Sequence, residues 1–131
     1  MKHFFLTLCA TLGLTAACTA RENIKSVNTD VFGKLITEDT TAVVLDVRTA
    51  EEFAAGHINS ALNIDYLQEE KFKNSIKALD KERTYYVYCR SGRRSYNAAV
   101  LMQGIGLRVV NLNGGFIAWE SAGMTSTDKN R

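Results

Sequence analysis

The chain has 131 residues, 46% of them hydrophobic and 23% charged, an ordinary globular composition rather than a disordered or fibrous one. That length predicts one domain, able to bury about two thirds of its unfolded surface and so to hold a core without disulfides or a structural metal. A formal net charge of +2, with no basic stripe outside the short run Arg90, Arg93 and Arg94, excludes charge-driven nucleic-acid binding, and the absence of proline leaves every turn to Gly, Asn, Asp and Ser.

Residues 1–17 (MKHFFLTLCATLGLTAA) pair Lys2 and His3 with an apolar stretch over 4–14 and small residues before Cys18. This is the pattern of a secretory signal peptide; its apolar run falls short of the about 20 residues of a membrane-spanning helix. The end of the signal, Leu14-Thr15-Ala16-Ala17-Cys18, resembles a bacterial lipobox. The resemblance implies a diacylglycerol on Cys18, cleavage before it, and an exported lipoprotein held to a membrane facing the periplasm. Thr19, where an aspartate is associated with inner-membrane retention, directs the reading to the outer membrane. Two alternatives stay open: cleavage after Ala17 or Ala20 into a soluble secreted protein, and an uncleaved segment acting as a weak anchor. Residues 18–27 read as a tether. Of the three cysteines, Cys9 leaves with the signal and lipid consumes Cys18, so Cys89 is left as the free thiol. An unpaired thiol in an exported protein is reactive or an intermolecular partner; the alternative is a buried cysteine behaving as a small hydrophobe.

Beyond the tether, Asn28, Thr29 or Asp30 can cap a helix running to about Ile36. Residues 41–47 (TAVVLDV) are a compact β-branched run, the mark of a strand covered on both faces in a parallel sheet, with Asp46 and Arg48 at its carboxyl end. Thr49 and Glu52 form a capping box for a short helix that stops at Gly56. Residues 61–64 read as a brief strand, and 67–79 as a surface helix with Phe72, Ile76 and Leu79 on one stripe. Residues 84–89 (TYYVYC) are a strand that ends on Cys89. After the loop RSGRR, residues 95–105 read as a helix, 107–112 (LRVVNL) as a further strand, and Asn113-Gly114-Gly115 as a turn into an amphipathic segment over 116–122 that carries Trp119. This alternation predicts an α/β domain over 28–123 with a mainly parallel sheet of about five strands flanked by helices. Residues 124–131 read as a frayed tail.

In such sheets ligands bind beyond the carboxyl ends of the strands, where Cys89 falls. Gly92 lets the loop of Cys89, Arg90, Ser91, Gly92, Arg93, Arg94 and Ser95 turn tightly, and successive N–H groups in such a loop make an anion-binding nest. A helix amino terminus and cationic neighbours lower the pKa of a thiol. Acyl-transfer cysteine enzymes need a histidine as base, and past the signal the chain has only His57, after a different strand. Attack of a thiolate on an anionic sulfur donor needs charge stabilisation alone.

Taken together, Leu45-Asp46-Val47-Arg48, Glu52-Phe53, Gly56-His57-Ile58, Ala61-Leu62-Asn63-Ile64, Tyr88-Cys89-Arg90-Ser91-Gly92-Arg93-Arg94-Ser95 and Asn113-Gly114-Gly115 with Trp119 resemble the rhodanese family over 28–123. The resemblance implies a three-layer sandwich and a sulfurtransferase that moves sulfane sulfur from a thiosulfate-like donor to a thiol or cyanide. It assigns Cys89 as the nucleophile and Arg90, Ser91, Gly92, Arg93, Arg94 and Ser95 as the loop that cradles the persulfide. The chain departs from the family pattern at Asn59-Ser60, where many members have Pro-Gly, and lacks a proline after Gly123.

Plainer roles are read for several residues: a solvated charge run for the arginines, an ion pair bracing the loop for Asp46 and Arg48, structural roles for His57 and Trp119, and a helix cap for Ser95. A cysteine phosphatase is the enzymatic rival, but the arginine it needs six positions after the cysteine is Ser95 here. A persulfide carrier loaded by a partner protein is the non-catalytic rival. No organic cofactor is implied and no metal, since one cysteine and one histidine cannot close a zinc site. The expected partners are a small anionic donor and a thiol acceptor, with a protein persulfide partner, a lipid anchor on Cys18 in the membrane, no nucleic acid, and a monomeric state.

Overall fold

A computed structural model describes residues 23–127; the signal, Cys18 and the last four residues of the tail lie outside the described residues. In chain order the elements are β1 (Ser26–Val27), α1 (Thr29–Glu38), β2 (Ala42–Asp46), α2 (Ala50–Ala55), β3 (His57–Ile58), β4 (Leu62–Asn63), α3 (Glu69–Lys77), β5 (Thr84–Tyr88), α4 (Arg93–Gly104), β6 (Arg108–Leu112), α5 (Gly115–Ser121) and β7 (Ser126–Thr127). Five strands form one parallel sheet in the order β1-β6-β5-β2-β4, and β3 and β7 pair antiparallel beside it.

The middle strands explain the layering. Side chains alternate across a strand, and β5 splits its own between two cores. Tyr85, Val87 and, just past the strand, Cys89 join Phe72 and Ile76 of α3 and Ala98, Ala99 and Met102 of α4. Tyr86 and Tyr88 join Phe32 of α1 and Phe116 and Trp119 of α5 on the other face. The result is helices, sheet, helices, the three layers expected. Each tyrosine hydroxyl in this buried strand has a partner: Tyr85 donates to the Asp80 carbonyl at 2.8 Å, Tyr86 donates to Asp39 Oδ2 at 2.7 Å, and Tyr88 accepts from the Ile58 N–H at 3.0 Å. Without such partners each buried hydroxyl would cost about 1–3 kcal/mol.

The caps follow the sequence at the start of the chain: Asn28 Oδ1 accepts from the Val31 N–H at 3.0 Å, and the Thr49–Glu52 box is closed. Three expectations need correction. Residues placed in the tether belong to the domain, for Ile24 is buried at 8% exposure and Ser26–Val27 pair with Asn111 and Leu112 of β6. Residues 124–127 of the tail are ordered: the buried Trp119 indole donates to the Thr125 carbonyl at 3.0 Å, and Ser126–Thr127 zip onto Ile58 and His57. The helix after Cys89 begins at Arg93, not at Ser95, because Gly92 in the left-handed conformation (φ +107°) is its N-cap. Ser95 therefore sits inside the first turn, and its hydroxyl is aimed elsewhere.

Candidate active site

The register of β2 on β5 brings Asp46 level with Tyr88, so the chain leaves both strands at one edge of the sheet. Cys89 is the first residue beyond β5, 1% exposed. Its sulfur accepts the Gly92 N–H at 3.1 Å, and the Ser95 hydroxyl stands 3.5 Å away.

The orientation of the loop amides has a traceable cause. The Cys89 carbonyl accepts from the Phe116 N–H at 2.8 Å and the Arg90 carbonyl accepts from the Ile117 N–H at 3.1 Å, so the first turn of α5 turns both carbonyls away from the sulfur. In a trans peptide the N–H points opposite to the C=O, which swings the Ser91 N–H inward. This approach is possible only because Gly115 has no side chain: a Cβ there would lie 2.5 Å from the Arg90 oxygen and 2.6 Å from the Cys89 oxygen. Gly92 packs on the backbone of Leu112, Gly114 and Gly115, with Gly114 N 3.3 Å from where its Cβ would be.

Burial works to raise the Cys89 pKa, but the Ser95 hydroxyl and the N–H groups of Ser95, Gly92 and Ser91 outweigh it and hold the thiol below its ordinary value. Hydrogen bonds to the charged form favour ionisation. The site is built to keep a sulfur anion.

Of the residues singled out from the sequence, Ser91, Gly92 and Ser95 converge on the sulfur. The arginines divide. Arg94 turns away to form a bidentate pair with Glu52, Nη1 to Oε1 at 2.9 Å and Nη2 to Oε2 at 3.0 Å. Hydrogen bonding to Arg94 pulls the Glu52 pKa down to about 2, so the carboxylate is ionised at every ordinary pH. Arg90 lines a cleft of about 330 Å³ together with Arg48, Glu52, Gly56, Phe116 and Ile117. Arg93 is exposed, and neither it nor Arg90 makes an ion pair among the described residues.

Asp46 and Arg48 are buried and bonded to each other, with Arg48 Nη2 at 2.6 Å from Asp46 Oδ2 and at 2.7 Å from the Gly56 carbonyl. The guanidinium lies 4.4 Å from the centre of the Phe116 ring, the residue whose N–H holds the Cys89 carbonyl. The pair thus reaches the loop at second hand, through α5. His57 stacks on Phe53 at 3.7 Å, and its Nδ1 lies 2.8 Å from the Phe53 carbonyl. It makes no hydrogen bond to Cys89. Among the described residues no group of His, Cys, Asp and Glu is arranged to hold a metal ion.

Two contributors were not legible. The sequence marks Glu52 as a cap and as part of the family-like Glu52-Phe53 pair, while its partner Arg94 is 42 positions away with no local signal joining them. Gly115 and Phe116 were read as a turn and the start of a helix; their grip on the Cys89 carbonyl is a tertiary contact.

A parallel α/β sandwich with an amide-cradled cysteine at the carboxyl edge of its sheet defines the class. The sequence profile of the rhodanese-like domain matches residues 28–122, and the chain belongs to that family. It is 33% identical over 103 residues to a sulfurtransferase of Allochromatium vinosum, covering 77% of this chain and 92% of the relative. It is 35% identical over 97 residues to the Bacillus subtilis protein YtwF, covering 74% and 91%. A rhodanese-related protein of Thermoplasma volcanium superposes with a TM-score of 0.70 at 28% identity, over 79% of this chain and 97% of that one. Kinship with proteins named as sulfurtransferases supports a sulfur-transfer role.

Proposed function

We propose that the chain is a sulfurtransferase that takes sulfane sulfur from a thiosulfate-like anion and hands it to a thiol or cyanide through a persulfide on Cys89. The observation that carries this reading is the cradle around the sulfur: the Gly92 N–H at 3.1 Å and the Ser95 hydroxyl at 3.5 Å, with no histidine bonded to the thiol. Such a site stabilises an anion and offers no proton relay, which suits transfer between sulfur anions.

In the first step the Cys89 thiolate attacks the outer sulfur of thiosulfate. An S–S bond forms to Cys89, the S–S bond of the donor breaks, and its electron pair leaves on sulfite. The terminal sulfur of the persulfide carries the negative charge, which the loop N–H groups are placed to receive. In the second step cyanide or a thiolate attacks that sulfur, forming thiocyanate or a new persulfide and returning the Cys89 thiolate. No external oxidant or reductant is consumed. Arg90, at the cleft, meets the incoming anion.

Intact-mass measurement after incubation with thiosulfate tests the reading. A gain of one sulfur atom, lost on adding cyanide with release of thiocyanate and absent in Cys89→Ser, is expected. A chain that never loads from small donors but loads from a persulfidated protein would instead be a carrier. Phosphate release from an aryl phosphate without thiocyanate formation would overturn both.

From the lipobox-like run at 14–18 we further propose export and a diacylglycerol on Cys18, with the domain anchored at the outer membrane. Fractionation and mass analysis of the mature amino terminus test this; an unmodified Cys18 in the soluble fraction would refute it.

A further inference from the structure

Glu52 serves two structures at once. Within its own helix it closes the capping box, its Oε1 accepting the Thr49 N–H at 3.0 Å while Thr49 Oγ1 accepts the Glu52 N–H at 3.2 Å. Across the carboxyl edge of the sheet, both its oxygens accept from Arg94. Arg94 is the second residue of α4, next to Ser95, whose hydroxyl faces the Cys89 sulfur. The side chains are 23% and 29% exposed, so the pair is screened less than one in open solvent. Of the three loop arginines only Arg94 is ion-paired among the described residues. Glu52 also lines the cleft that Arg90 faces.

We propose that Glu52, acting through Arg94, is a positioning residue for sulfur transfer: it pins the first turn of α4 over Cys89 and subtracts one positive charge from what the site offers an anionic donor. The donor half of this inference rests on the sulfurtransferase reading; the half that concerns Cys89 does not. A bidentate guanidinium–carboxylate pair fixes geometry as well as energy, so the bridge sets where the Ser95 hydroxyl and the loop amides stand. It also leaves Arg90 and Arg93 as the loop cations outside an ion pair among the described residues, with Glu52 and Glu120 lining the cleft beside Arg90. Breaking the bridge from either side loosens α4 alike, yet the two breaks leave opposite charges behind. Removing the carboxylate charge leaves the Arg94 cation, which feels the charge of both Cys89 and Asp65, without its partner, and removing the guanidinium leaves the Glu52 anion without its own.

That opposition is what a purely structural brace would not produce. The test compares Glu52→Gln, Arg94→Met and Arg94→Lys in the full mature chain, reading the pH dependence of Cys89 alkylation by iodoacetamide and the kcat and KM for thiosulfate with cyanide. Gln still fits a capping box, so α2 stays closed. Glu52→Gln is expected to ionise Cys89 at lower pH and to lower the thiosulfate KM about threefold at low salt, an effect that fades as salt rises. Arg94→Met is expected to move both quantities the opposite way by a similar factor. Arg94→Lys, which keeps the charge and loses the fork, is expected to keep the ionisation and KM and to lower kcat. Should Arg94→Met not fold, a downward shift in Glu52→Gln with none in Arg94→Lys supports the proposal, and an equal shift in both overturns it. Shifts of the same sign in Glu52→Gln and Arg94→Met, or no shift in Glu52→Gln, would overturn the proposal. A wild-type chain that makes no thiocyanate would overturn the donor reading, while the alkylation profiles still decide the role of Glu52.

Discussion

The Ser95 hydroxyl lies 3.5 Å from the Cys89 sulfur and 3.2 Å from the Gly92 carbonyl oxygen. A hydroxyl has one proton to donate, so it serves one acceptor at a time. While Cys89 is a thiol the carbonyl is the better acceptor. Once the sulfur is ionised, the charge-assisted bond wins. Ser95 is therefore a donor that becomes available to the sulfur as its charge appears.

Replacing Ser95 by Ala removes that donor and raises the Cys89 pKa. The pH at which alkylation by iodoacetamide reaches half its limiting rate is expected to rise by about one unit, the equivalent of about 1–1.5 kcal/mol. The limiting rate at high pH is expected to stay at the wild-type value, because the thiolate itself is unaltered. A full pH profile of the alkylation rate separates the two.

The depressed Cys89 pKa also links stability to pH. An acid whose folded pKa lies below its unfolded value stabilises the fold above the unfolded pKa, near ~8.5 for a thiol, and loses that contribution as pH falls through the folded value. The melting temperature of the wild type relative to Cys89→Ser is thus expected to rise from neutral pH toward pH ~9. Calorimetry across that range checks it; a difference that stays constant with pH would mean the thiol is not depressed.

Asp46→Asn leaves the Arg48 guanidinium buried, at 5% side-chain exposure, without its counter-charge. Breaking a buried pair from one side costs about 3–5 kcal/mol, to be read as a lower midpoint in urea. Arg48 packs on Phe116, so sulfur loading of the folded fraction is expected to slow as well.

Gly115→Ala places a Cβ 2.5 Å from the Arg90 oxygen at φ +60°. The backbone strain alone is worth about 1–3 kcal/mol. The larger effect expected is on chemistry: α5 must back away, the Cys89 and Arg90 carbonyls lose their donors, and the loop amides drift from the sulfur. A fall in melting temperature together with alkylation displaced to higher pH is the expected pair of results.

Much of the fold was legible along the chain. The runs at 41–47 and 84–89 are β-branched and aromatic because both faces of those strands are buried, and periodicity reports burial directly. The capping residues Asn28 and Thr49 were legible for the same reason: their bonds close within three residues. The tail was misread because its order depends on Trp119 finding the Thr125 carbonyl and on β3 accepting a partner from the far end of the chain. The start of α4 was misread because Ser is a common cap and the left-handed Gly92 that takes that place leaves no periodic trace.

The sequence by itself determined the alternation of strands and helices, the position of Cys89 at the end of a strand, and the glycine that lets its loop turn. These are local properties, set by side-chain period and backbone freedom over a few residues. Only the tertiary structure decided which way the loop amides face, that Arg94 answers to Glu52 while Arg90 faces the cleft, and that Ser95 points at sulfur rather than capping a helix. Those depend on groups distant in sequence, α5 against the Cys89 carbonyl and α2 against α4, and no local pattern encodes a contact whose two halves are separately ordinary.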